Sequence, residues 1–176
     1  MSIDTYLQMG SGIGRHLLAV GESPAANGWH KSGRAFFTVD GKTVPTGRNF
    51  LINLEQIDDR LDLENISFTE IAKCFVGTDR SKLHACATLV WPHFIEQLIY
   101  VQPKLVILLG QKTTEIFNLL AGTTLTVGQM ESVKIADKSY SILPLYHPSP
   151  LNPRRIQNAQ FINDGIVEIR KLLGVK

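Results

Sequence analysis

Cysteine is scarce in this 176-residue chain, charge of the two signs is nearly balanced, and no long apolar run occurs. Each shortage excludes something. Only Cys74 and Cys86 are present, with eleven residues between them and no C-x-x-C partner, which argues against a disulfide framework and against a four-cysteine zinc site. Two reduced thiols suit a cytoplasmic protein. The longest unbroken apolar stretches, such as Leu105 to Leu109, fall far short of the roughly 20 residues a membrane span requires. The N-terminus carries no basic segment followed by an apolar one, so neither export nor anchoring is expected. A net charge of +2 permits contact with a polyanion without requiring it, and any nucleic-acid surface must then be local. No G-x-G-x-x-G follows the first apolar run and no G-x-x-x-x-G-K occurs, which removes the phosphate-cradling cofactor folds.

What is present is an ordinary globular composition, 44% hydrophobic and 19% charged, long enough for one domain over residues 1–176 and without a polar tract that would stay disordered. Four short apolar runs predict buried strands: His16 to Val20, Ile66 to Ile71, Leu105 to Leu109 and Tyr140 to Leu145. Helical periodicity fills the spaces between them. Leu83, Ala87, Val90, Phe94, Leu98 and Val101 form one apolar face between Ser81 and Val101, and similar patterns cover Gln111 to Leu120 and about Gln157 to Leu173. A loop from Ala25 to Thr46 and a helix from Gly47 to Asp59 separate the first two strands. Alternation of this kind predicts an α/β fold, three layers with a central, mostly parallel four-stranded sheet. Ligands then bind beyond the carboxyl ends of the strands, where the strand order reverses.

Two segments come directly after predicted strands. In Gly21-Glu22-Ser23-Pro24 the glycine turns the backbone without Cβ strain and the proline stiffens the next stretch of chain, so Glu22 and Ser23 are held over the sheet end. In His147-Pro148-Ser149-Pro150-Leu151-Asn152-Pro153-Arg154-Arg155, three prolines make the loop stiff and extended. An imidazole held there can hydrogen-bond a carbonyl that gains negative charge, while Ser149 and nearby backbone amides can grip a phosphate, with the cations Arg154 and Arg155 following as DNA contacts. Between them, Lys31-Ser32-Gly33-Arg34-Ala35-Phe36-Phe37 sets cations beside paired aromatics. One of Phe36 and Phe37 is expected to stack on a base, with Lys31, Arg34, Lys42 and Arg48 near phosphates; spacing does not choose between the two rings.

The two rim loops resemble the paired motifs of the uracil-DNA glycosylase superfamily. Phe68-Thr69-Glu70-Ile71-Ala72-Lys73-Cys74 and Pro103-Lys104-Leu105-Val106-Ile107-Leu108-Leu109-Gly110 are similar to its thermophilic-type family 4 branch, and the match runs from about Leu17 to Arg154. The resemblance implies a monofunctional, metal-free hydrolase that flips a damaged base, uracil or another deaminated base, out of DNA and cleaves its N-glycosidic bond. It implies Glu22 as the carboxylate that positions water and His147 as the group that steadies the departing base. Phe36 matches the stacking aromatic, and Ser149 and Pro150 match a loop pressing on the minor groove. Three departures stand out. Glu70 replaces an asparagine that reads the base edge, and an ionised Glu only accepts hydrogen bonds, whereas a protonated one also donates. Cys74 and Cys86 match two of four cysteines that hold an iron-sulfur cluster in that branch, and two thiolates cannot hold one, so no cofactor and no metal is expected. Ala25-Ala26-Asn27 replaces a glycine and acidic residues that commonly follow the proline.

The expected partner is DNA with a damaged base, and the expected state is a monomer. The rival expectation is a catalytically silent relative that keeps a nucleic-acid or nucleotide groove. A small-molecule nucleoside or nucleotide hydrolase is a third reading.

Overall fold

Strands β2 (Leu17–Gly21) and β4 (Leu105–Leu109) are buried at every residue, as the middle of a sheet covered on both faces must be. They appear in a computed structural model that describes residues 5–25, 28–77 and 79–176. The remaining strands are β1 (Leu7–Gln8), β3 (Ser67–Glu70), β5 (Glu131–Ile135) and β6 (Lys138–Leu145). The helices are α1 (Trp29–Ser32), α2 (Pro45–Ile57), α3 (Leu83–Val101), α4 (Gln111–Ala121) and α5 (Asn158–Leu173). Strand order is β1-β3-β2-β4-β6-β5. The inner four strands are mutually parallel, in registers such as Ala19 opposite Phe68 and Ile107, and Ile107 opposite Leu143.

The sheet therefore has six strands where the apolar runs predict four. Both additions are antiparallel edges, β1 on β3 and β5 on β6. The first is only two residues long. The second alternates exposed and buried residues, and turns back through Ala136 and Asp137, both at positive φ. That is the backbone of a tight primed hairpin turn, built here without the Asn-Gly or Asp-Gly pair that usually announces one.

Successive strand residues point to opposite faces and so divide the core in two. Leu17, Ala19, Leu105 and Ile107 pack with Phe50 and Leu54 of α2 and Ile162 and Ile169 of α5. Leu18, Val20, Val106 and Leu108 pack with Phe94 and Leu98 of α3 and Ile116 and Phe117 of α4. The result is the three-layer α/β/α arrangement, with all four inner strands ending on one rim. Among the described residues, no helix is long and apolar enough to cross a membrane.

The cysteines depart from the expectation of two reduced thiols: Cys74 and Cys86 are joined by a disulfide, their Cα atoms 6.1 Å apart. The chain leaving β3 loops out and returns at the first turn of α3, which closes a gap that linear spacing cannot show. The thiol argument for a reducing compartment falls with it.

Candidate active site

At the strand ends lies a cavity of about 760 Å³, lined among others by Gly21, Glu22, Ser23, Phe36, Glu70 and His147. Its position is set by the topology: β3 lies on one side of β2 and β4 on the other, so the crossovers diverge and leave a crevice at β2. Gly21 is required there. A Cβ at this position would collide with the Glu70 carboxyl and come within 2.9 Å of Phe68 Cζ.

Glu22 is fixed first by its backbone. The Gly21 and Glu22 carbonyls accept from the Ile71 and Ala72 amides at 2.9 and 3.0 Å, extending the β2–β3 pairing past the strand ends. Its side chain, largely covered, forms an ion pair with Arg80. Arg80 also acts on the opposite wall: burial and, next, the Arg80 charge hold His147 below the ordinary histidine pKa. His147 Nδ1 accepts the Ser149 amide at 3.2 Å, so the neutral ring carries its proton on Nε2 as a donor. Its ring lies close to Gly110, where an added Cβ would sit 3.3 Å from His147 Cβ and where φ is +115°.

Three asparagines brace this proline loop. Asn158, fully buried, accepts from the Tyr146 amide and donates to the Tyr146 carbonyl, both at 2.9 Å. Asn49 donates to the Pro148 carbonyl at 2.7 Å, and Asn152 to that of His147 at 3.1 Å.

The aromatic pair separates. Phe36 stands on the cavity wall at φ +65°, its ring 4.7 Å from that of Phe68. Gly47 leaves the space it needs, since a Cβ there would lie 2.8 Å from Phe36 Cβ. Phe37, counted with Phe36 as base-binding, instead turns into the core with 8% exposure, capped by the Arg34 guanidinium 4.3 Å from its ring centroid. The left-handed kink at Phe36 sends consecutive rings to different places.

The cations separate as well. Arg154 lies 5.7 Å from the Tyr146 ring centroid and Arg155 donates to the Pro150 and Asn152 carbonyls, so both belong to the His147 loop, as do Ser149 and the exposed Pro150. Arg34 is paired with Glu64 outside the cavity, and Lys31 is exposed on α1. Ala26 and Asn27, where the turn departs from the family pattern, lie outside the described residues.

Sequence reasoning missed Arg80, Phe75 and the bracing asparagines. Arg80 and Phe75 lie in the loop between the cysteines, and nothing in their own neighbourhood says that this loop folds over the end of β2. Phe75 lines the cavity and stacks on His30 at 4.2 Å.

The sequence pattern of the Uracil DNA glycosylase superfamily matches residues 11–165. This chain belongs to that superfamily. Among curated relatives, a protein of Sulfurisphaera tokodaii named type-4 uracil-DNA glycosylase is 25% identical over 138 residues, 76% of this chain and 59% of its own length. A Pyrobaculum aerophilum protein named type-5 uracil-DNA glycosylase is 28% identical over 151 residues, 80% of this chain and 64% of its own length. The chain thus spans about three-fifths of the length of these relatives. An iron-sulfur cluster of the kind held by four cysteines does not fit the residues present, because both cysteines of the chain are bonded to each other and neither offers a thiolate.

Proposed function

We propose that this protein is a DNA glycosylase that releases a deaminated base, uracil or a relative, from DNA by hydrolysis. The observation that carries the reading is the shared cavity of Glu22 and His147, where burial and the Arg80 charge favour the neutral ring and the Ser149 amide on Nδ1 leaves Nε2 to carry its proton. As the C1′–N bond breaks, its electron pair moves into the base and negative charge collects on a ring carbonyl. The His147 Nε2–H donates to that oxygen without first having to lose a proton. The sugar becomes cationic, and the Glu22 carboxylate stabilises it and orients the water that adds to C1′; the proton released by that water balances the base anion. Phe36 supplies a face for the flipped base, with Ser23 beside Glu22 at the rim. Ser149, Pro150, Arg154 and Arg155 form the DNA-facing loop, with Lys31 as an outlying phosphate contact, and the enzyme acts as a monomer.

The test is release of uracil, hypoxanthine, xanthine or mismatched thymine from labelled single- and double-stranded oligonucleotides. Release of at least one base, with a loss of about 10²-fold or more in His147→Ala and in Glu22→Gln, is expected. DNA affinity should weaken steeply with salt. Binding without release of any base would replace this reading by a silent nucleic-acid-binding relative.

A further inference from the structure

Glu70 ends β3 on the cavity wall and is only 6% exposed, yet its Oε2 has no hydrogen-bond partner. Lys73, the nearest cation along the chain, does not supply one. Its ammonium donates to the Thr69 hydroxyl at 2.9 Å and to the Glu70 backbone carbonyl, so it acts on the carboxyl through its charge and leaves Oε2 without a donor. A buried carboxylate without donors is costly, and the group escapes that cost by keeping its proton. The carboxyl lies directly against Gly21, so it cannot withdraw toward β2.

We propose that Glu70 reads the base as a neutral carboxylic acid, its O–H donating to a base carbonyl while its C=O accepts from the neighbouring ring N–H. Deamination creates that edge: the ring nitrogen of cytosine or adenine gains hydrogen and the exocyclic amine becomes a carbonyl. The substrates are therefore bases with an N–H beside a carbonyl, uracil and hypoxanthine among them. An ionised Glu70 presents two acceptors and repels the carbonyl. Burial pushes the Glu70 carboxyl up to about 8, against the opposing charge of Lys73, and burial pulls Lys73 down to about 7. The acid form is the one present below about pH 8. The other charged groups sharing the cavity are Glu22 from the loop after β2, Arg80 from the loop before α3 and His147 from the loop after β6.

This inference rests on the base-release reading, and the experiment separates the two. Glu70→Gln keeps a donor and an acceptor at every pH, so the ratio of Glu70→Gln to wild-type kcat/KM on uracil cancels the titration of the other groups. That ratio should be flat below pH 7 and rise toward tenfold per pH unit above about 8. The same ratio is read in binding to an oligonucleotide carrying deoxypseudouridine, whose carbon–carbon glycosidic bond cannot be hydrolysed. A pH-dependent binding ratio without release of any base overturns catalysis and keeps Glu70 as an acid reader. A ratio that stays flat to pH 10 in both assays overturns the role of Glu70, whether or not bases are released.

Discussion

Three carboxamides at positions 49, 152 and 158 decide where the imidazole of His147 stands. Asn158 satisfies both backbone groups of Tyr146 from within the core, so Asn158→Ala leaves an amide and a carbonyl without partners. That substitution should lower unfolding free energy by about 2–3 kcal/mol in denaturant titrations and reduce kcat more than DNA affinity, because the neighbouring residue loses its position. Asn158→Asp keeps the acceptor and should recover part of both. Glu22 and His147 were legible in the sequence because each sits in its own punctuation, a glycine and proline on one side and three prolines on the other. The asparagines were not, since each acts on a backbone group brought near only by the folded chain. Phe36 and Phe37 were legible as a pair and no further: the left-handed kink that separates them has no sequence sign at a phenylalanine.

The loop closed by Cys74 and Cys86 carries Phe75, Gly77 and Arg80 to the cavity, and Arg80 to Glu22. A cross-link over a loop of this length stabilises by about 2–3 kcal/mol, chiefly by restricting the unfolded chain. Reductant should lower the wild-type melting temperature and slow base release, while a Cys74→Ser/Cys86→Ser double variant should show both defects without reductant and no further response to it. An equal response to reductant in the variant would assign the effect elsewhere. At this scale the four inner strands and the four longer helices were legible from apolar runs and periodicity. The edges β1 and β5, the single-turn α1 and the disulfide were not, because each depends on a neighbour distant in the chain or on a turn with unusual residues.

The Glu70–Lys73 pair couples the cavity to the stability of the whole molecule. Because the folded protein holds the Glu70 proton up to about pH 8 and the unfolded chain gives it up near 4.5, stability falls as pH rises through that window. Lys73 acts in the opposite sense: the folded state loses its proton near 7 and the unfolded chain near 10.5, so stability returns as pH climbs from 7 to 10.5. Denaturant midpoints across pH should pass through a trough near pH 7 to 8, and Glu70→Gln should remove its acidic side. Gly21 and Glu70 are paired at the ends of β2 and β3, where the Glu70 carboxyl fills the space a Cβ on Gly21 would need. Those two positions compete for one volume, so Gly21→Ala should disrupt the site while Glu70 stays and be milder once Glu70 has been shortened to Ser, when only the Phe68 ring has to give way. Across a lineage this acts as a ratchet: position 70 must shrink before position 21 can grow, and a descendant that keeps the acid inherits the bare glycine with it.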